Sequence, residues 1–164
     1  MQNSNAFMPD TTDFRILREL CNDGRAADVS LAERINLSST AVARRRKILE
    51  EHGIIRGYNA NISMTSLGFA GVVMVAVELS SQAEQVLIEF EREVVKCPSI
   101  SYCGFVSGDT DFMIIIHVNS FNDYDQIYRR ELANLPHVAK IRSSFVMREV
   151  ARRVIPPVVF EGRR

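Results

Sequence analysis

Hydrophobic residues in this chain fall into two regimes, and the change between them divides it. From Phe14 the apolar positions Phe14, Leu17, Leu20 and Cys21 recur at helical spacing, and Asp23-Gly24-Arg25 ends the run. Ser30-Leu31-Ala32-Glu33 has the form of a capping box opening a second short helix, with Leu31, Ala32 and Ile35 on its inner face. Asn36-Leu37-Ser38 is a tight connection into a third helix, capped by Ser38 or Ser39 and ended by Gly53. Three short helices with a brief turn between the second and third form the helix-turn-helix pattern. Gly53-Ile54-Ile55-Arg56-Gly57-Tyr58 then alternates like a short strand or wing.

After residue 69 the period changes. Ala70 to Leu79 is a nearly unbroken β-prone run. Ser81-Gln82-Ala83-Glu84 is a second capping-box pattern, opening a helix with Val86, Leu87, Phe90 and Val94 inside. Ile100 to Val106 and Phe112 to Val118 are strands around the turn Ser107-Gly108-Asp109-Thr110-Asp111. Ser120-Phe121-Asn122-Asp123 is a third capping pattern, opening a helix with Phe121, Tyr124, Tyr128, Leu132 and Leu135 inside, and Pro136 ends it. Val138 to Met147 is a last strand. The order β-α-β-β-α-β is that of a ferredoxin-like sandwich, so the fold class is α+β. The expected organisation is an arm over 1–11, a helix-turn-helix domain over 12–58, a linker over 59–69, the βαββαβ domain over 70–150 and a basic, proline-bearing tail over 151–164.

Two helices cover only one face of such a sheet. Yet the strands at 72–77 and 112–118 are largely apolar on both faces, where a half-solvated sheet alternates. A second copy of the sheet is the simplest cover, which predicts a homodimer or larger assembly.

Composition narrows the function. The 164 residues carry 20 basic and 20 acidic side chains; residues 1–62 hold 9 and 8 of them, residues 63–164 hold 11 and 12. Any DNA footprint is therefore local, which singles out Arg44-Arg45-Arg46-Lys47 in the third helix. At ~100° per residue, Val42 and Leu49 share one side of that helix, and Thr40, Arg44 and Lys47 lie opposite with Ala43 at the margin. Such a face suits a major groove. We expect Ser39, Thr40, Ala43 and Arg44 near base edges, Arg45 and Lys47 on phosphates, and Arg56 of the wing as a weaker phosphate contact. The solvated charged helix is the plain alternative for an isolated basic run; the domain order weighs against it.

Other chemistry is sparse. Cys21, Cys97 and Cys103 have no paired C-x-x-C spacing and read as reduced packing residues of a cytoplasmic protein without cofactor or metal. His117, mid-strand beside Met113 and Ile115, is an interior or interface histidine rather than a metal ligand. No nucleophile elbow, P-loop, G-x-G-x-x-G or H-E-x-x-H occurs, so we expect no enzyme. No apolar run is long enough to cross a bilayer, and the first dozen residues lack the h-region of a signal peptide.

Taken together, Asp13-x-x-Ile16-Leu17-x-x-Leu20, Asp23-Gly24-Arg25, Leu31-Ala32-x-x-Ile35-x-Leu37-Ser38, Gly53-Ile54-Ile55-x-Gly57-Tyr58 and Ser107-Gly108-Asp109-x-Asp111-Phe112 resemble the leucine-responsive/asparagine regulator (Lrp/AsnC, feast/famine) family. The match runs from about Asp13 to about Val150, in order. The resemblance implies a sequence-specific regulator of double-stranded DNA, dimers assembling into octamers, and an amino-acid effector bound between dimers near the turn Ser107, Gly108, Asp109, Thr110 and Asp111. Turn N–H groups would hold the amino acid's carboxylate and Asp109 or Asp111 its ammonium; hairpin chemistry alone accounts equally well for Gly-Asp between two strands. The alternative is an architectural DNA-organising protein of the same fold with no effector. Family members usually carry an apolar residue at the position of Arg46 and often a basic one at Ile48; here the two are exchanged. That leaves two arrangements: a slightly rotated helix, or Arg46 reaching outward along its stem.

Overall fold

The computed structural model describes residues 7–161. It divides into two compact units, Met1–Asn61 with Ala151–Arg164, and Ile62–Val150.

In the first unit, α1 (Thr11–Asn22), α2 (Asp28–Ile35) and α3 (Ser39–Glu51) enclose Ile16, Leu20, Leu31, Ala32, Ile35, Val42 and Leu49. Asp10 caps α1 in a full capping box: its carboxylate accepts from the Asp13 amide at 2.9 Å, and Asp13 accepts from the Asp10 amide at 3.0 Å. The left-handed Asn36 (φ 53°) ends α2 and turns the chain within three residues into α3. Ser38 caps α3 by accepting from the Ala41 amide at 3.2 Å. At its far end, Gly53 (φ 67°) lets the Ile54 amide return to the Leu49 carbonyl, at 2.9 Å, and closes a Schellman motif.

Three expectations are corrected here. The Ser30–Glu33 capping box does not form, because α2 is already under way: it starts at Asp28, and Leu31 N donates to Ala27 O at 3.0 Å. Residues 53–58 form no strand; they are an irregular wing entered through Gly53. The expected loose arm is pinned over its described part. Phe7 stacks on His52 with ring centroids 4.6 Å apart, Asp10 caps α1, and Thr11 belongs to that helix. Residues 1–6 of the arm lie outside the described residues. In the tail, Pro157–Phe160 forms a 3-10 turn against α1, where Arg18 donates to the Phe160 carbonyl at 2.8 Å.

The second unit is the expected βαββαβ sandwich. β1 (Gly71–Leu79), α4 (Glu84–Val94), β2 (Ile100–Phe105), β3 (Phe112–Val118), α5 (Phe121–Arg130) and β4 (Val138–Phe145) build an antiparallel sheet in the order β2-β3-β1-β4. Val73, Val75 and Val77 of β1 and Ile114, Ile116 and Val118 of β3 are buried with Phe90, Val94, Tyr124, Ile127 and Leu132 from the helical layer. Register places Val72, Met74 and Ala76 opposite His117, Ile115 and Met113 on the other face, which is only half-buried. That face is apolar along β1 and β3 except for Glu78 and His117, and β4 borders it with Ser144 and Arg142.

The capping pattern at Ser81 also fails. The chain stays extended to Ala83 (ψ 139°), which precedes α4 with no side-chain cap, and Ser81 Oγ accepts from the Ala83 amide instead. Ser120 does cap α5, accepting from Asp123 N at 3.1 Å, but Asp123 returns to the Asn119 amide. The last helix stops earlier than Leu135. A 3-10 turn, Leu132–Asn134, follows, and Asn134 Nδ2 donates to the carbonyls of Arg129 and Arg130.

Candidate nucleic-acid interface and effector turn

Val42 and Leu49 are fully buried, which fixes the inward side of α3. Ser39, Thr40, Ala43, Arg44 and Lys47 are exposed. The helix thus presents two hydroxyls, a methyl group and two cations to solvent, beside an N-terminus whose unpaired N–H groups favour anions. Arg44 makes no ion pair among the described residues. Lys47 lies 3.7 Å from Glu51 one turn on, an exposed and weak pair. Arg56 is exposed on the wing.

The other two cations of the run turn back into the unit. Arg45 Nη1 donates to Asp13 Oδ1 and Asp10 Oδ2, both at 2.8 Å. These carboxylates raise the guanidinium's pKa. Partial burial pushes the Asp10 carboxyl up, but the Asp13 amide and Arg45 outweigh it and hold it below its ordinary value. Asp13 is 3% exposed, so removing Arg45 would strand a buried acid. The phosphate contact expected of Arg45 does not fit this geometry.

Arg46 does not reach outward along its stem. Its Nε donates to Tyr58 Oη at 2.7 Å and its Nη1 to Asp28 Oδ1 at 3.1 Å, and the guanidinium sits 4.6 Å from the Tyr58 ring centroid. Tyr58 in turn donates to Glu50 Oε1 at 2.7 Å. Burial opposes the charge on Arg46, but Tyr58 and Asp28 prevail and its pKa is raised. The reading from sequence missed this cluster. The apolar-to-basic exchange at position 46 was its only local sign, and Asp28 and Tyr58 lie too far along the chain for a periodicity to link them.

The turn between β2 and β3 is tightly tied. Asp111 is 5% exposed: Oδ2 accepts from the Leu79 amide at 2.8 Å and Oδ1 from Gln82 Nε2 at 2.9 Å. Thr110 Oγ1 donates to the Val77 carbonyl at 2.7 Å, and Arg142 to the Asp109 carbonyl at 3.2 Å. Gly108 takes φ 128°, a conformation that side chains resist. Asp111 is therefore spent on anchoring the turn to the β1–α4 connection, which corrects its expected role as an ammonium acceptor. Ser107 and the Asp109 carboxylate remain exposed. Among the described residues, no cluster of His, Cys, Asp and Glu could hold a metal ion, and no helix is long and apolar enough to cross a membrane.

Comparison with known proteins agrees with this architecture. Residues 9–56 match the model of a winged helix-turn-helix DNA-binding domain, and residues 72–155 match that of the Lrp/AsnC ligand binding domain. The chain is 36% identical over 149 residues to the Bkd operon transcriptional regulator of Pseudomonas aeruginosa, covering 91% of this chain and 97% of that one. It is 36% identical over 141 residues to the leucine-responsive regulatory protein of Escherichia coli, covering 86% of each. Among solved structures, a transcriptional regulator of Neisseria meningitidis in complex with L-methionine superposes with a TM-score of 0.85 at 30% identity, covering 92% of this chain and 97% of that one. With both domains matched in order and such relatives aligned along nearly their whole length, this chain belongs to the Lrp/AsnC family of DNA-binding transcriptional regulators.

Proposed function

We propose that the protein reads operator DNA with the outward face of α3 and is modulated by an amino acid bound near the Ser107–Thr110 turn. The observation that carries the DNA reading is the exposure of Ser39, Thr40, Ala43, Arg44 and Lys47 on one side of a helix whose other side is buried. Arg44, long and without an ion pair among the described residues, is the side chain for a bidentate guanine contact. Lys47 and Arg56 hold phosphates, and Ser39 and Thr40 lie where the helix N-terminus meets the duplex.

Two heads are needed to read a two-fold operator. The half-buried apolar face of β1 and β3 supports a homodimer formed sheet to sheet, with octamers built from such dimers. The effector class rests on relatives: the Neisseria regulator and a feast or famine regulatory protein of Mycobacterium tuberculosis were both solved with L-methionine. In this chain Ser107, the Asp109 carboxylate and the backbone of the Gly108 turn are the groups left to meet an amino acid. The architectural alternative, which wraps DNA without an effector, draws on the same turn, because Thr110 and Asp111 are already engaged internally.

A thermal-shift screen of the full chain against amino acids at millimolar concentration, L-methionine and L-leucine first, separates the two. A ligand that prefers the native state must raise the melting temperature. A rise with one or a few, repeated as an equal change of effector affinity when operator DNA is present, supports regulation by reciprocal coupling. No rise with any sinks the effector reading. For the DNA face, Arg44→Ala should weaken operator binding more than binding to scrambled duplex; an unchanged ratio would refute its base contact.

A further inference from the structure

The run Arg44–Lys47 divides into two pairs by what the side chains touch. Arg44 and Lys47 point out, while Arg45 and Arg46 leave α3 on opposite flanks of the Val42–Leu49 seam. Arg45 reaches the start of α1, through Asp10 and Asp13. Arg46 reaches the start of α2, through Asp28, with a second bond to the Ala26 carbonyl at 3.4 Å, and reaches the wing's end through Tyr58. Each flank of the helix is thus tied to a different segment of the same unit.

The apolar seam resists lifting α3 away but has little to say about its roll, because hydrophobic attraction is non-directional. Charge-assisted hydrogen bonds are directional: Arg46 uses two nitrogens of its planar fork, Nε and Nη1, and Arg45 bridges two carboxylates from Nη1. A helix with its side chains is ~10–12 Å across, so a roll of roughly 20° moves its surface groups about 2 Å. That is enough to break both flanking sets, which hold at 2.7–3.1 Å. It is also enough to carry Arg44 off a base edge.

The geometry points to Arg45 and Arg46 as positioning residues for DNA recognition: they set the roll of α3, and so which side chains meet bases, without touching DNA themselves. This rests on the DNA-facing role proposed for Arg44 and Lys47.

The test is the salt dependence and selectivity of binding by the full chain, on a duplex selected by the wild-type protein from random sequence and on a scrambled duplex. Deleting one cation that sits on a phosphate makes the slope of log affinity against log salt shallower by about 0.9 per head. Lys47→Ala should show this change. Arg46→Met should leave the slope unchanged, yet lower selectivity for the selected duplex by about tenfold. Arg46→Lys keeps the charge but not the fork, so it should lose selectivity too. Tyr58→Phe removes no charge and should lose part of it; it carries the test if Arg46→Met fails to fold. On the other flank Arg45 holds both acids through Nη1 alone, so Arg45→Gln, which removes the charge, should lose selectivity there. Affinities are compared below the melting temperature of every variant, so a merely less stable head would keep its selectivity. A shallower slope for the Arg45 or Arg46 variants, or full selectivity in all of them, overturns the proposal. An unchanged slope in Lys47→Ala would instead count against the contact assignment beneath it.

Discussion

Replacing Asp111 with alanine tests whether that carboxylate holds the fold or a ligand. Two donors converge on it, the buried Leu79 amide at 2.8 Å and Gln82 Nε2 at 2.9 Å. Hydrogen bonds to a charged group contribute ~1.5–3 kcal/mol each, and a buried amide left unpaired costs ~1–3 kcal/mol. Gln82 can turn to water, so the Leu79 amide dominates and the expected loss is about 2–4 kcal/mol. For a unit of roughly 90 residues, that lowers the melting temperature by on the order of 10–20 °C. Asp111→Asn should cost less, about 1 kcal/mol, because its carbonyl can serve Leu79 while the Gln82 amide flips to accept from its NH2. Differential scanning calorimetry on the full chain can resolve the two units' transitions, and hydrogen exchange at the Leu79 amide reports the bond itself. An alanine variant within about 0.5 kcal/mol of wild type, with only its amino-acid response lost, would refute the anchoring role and return Asp111 to the ligand.

Three further outcomes follow from particular contacts. Ser120→Ala removes the cap on Asp123 N and should destabilise the second unit by about 1 kcal/mol in chemical denaturation, with Asp123 still capping Asn119 N. Asp10 has a folded pKa below its unfolded one, so the stability it adds is fully present above the ordinary carboxylate range and is lost as pH falls through the folded value. Asp10→Asn should therefore flatten the acid side of the stability profile and leave the neutral side parallel to wild type. Arg18→Ala deletes the bond to the Phe160 carbonyl and the guanidinium lying 5.8 Å over its ring, so trypsin should cut after Arg152 or Arg153 several-fold faster, as followed by mass spectrometry.

Periodicity made most of the fold legible. β1 and β3 announced themselves as β-branched runs, and Val42 and Leu49 gave the inward side of α3. Much of what sequence misplaced shares a physical cause: polar side chains choose partners far along the chain. The Ser81 pattern is sound locally, but Gln82 is drawn to Asp111, 29 residues on, and the helix starts later. The Ser30 pattern sits inside a helix that already began at Asp28, the residue Arg46 holds from 18 positions away. Arg45 looked like a phosphate ligand for the same reason. Its acids lie 35 and 32 residues back, and no window around the basic run contains them. For the turn at 107–111, spacing marked the hairpin, but not that Asp111 serves the neighbouring connection rather than the solvent.

These pairings also bear on how a chain of zero net charge engages DNA. Asp10, Asp13, Asp28 and Glu50 stand behind or beside α3 and pair there with Arg45 and Arg46, four carboxylates on two guanidinium groups. At a physiological screening length of ~8 Å, such close pairs contribute little field at the outward surface. On the DNA-facing role proposed above, Arg44, Lys47 and Arg56 are the cations that each head brings to the duplex. The dimer proposed above carries six of them, so log affinity should fall with log salt at a slope of about −5. If Arg45 and Arg46 also released counterions, the same dimer would carry ten and the slope would approach about −9. A titration of one duplex between roughly 50 and 200 mM salt separates the two values, because they differ over that range by more than a hundredfold in affinity. The shallower slope means that half of the basic run is structural; the steeper one means that the ion pairs behind α3 open when DNA binds.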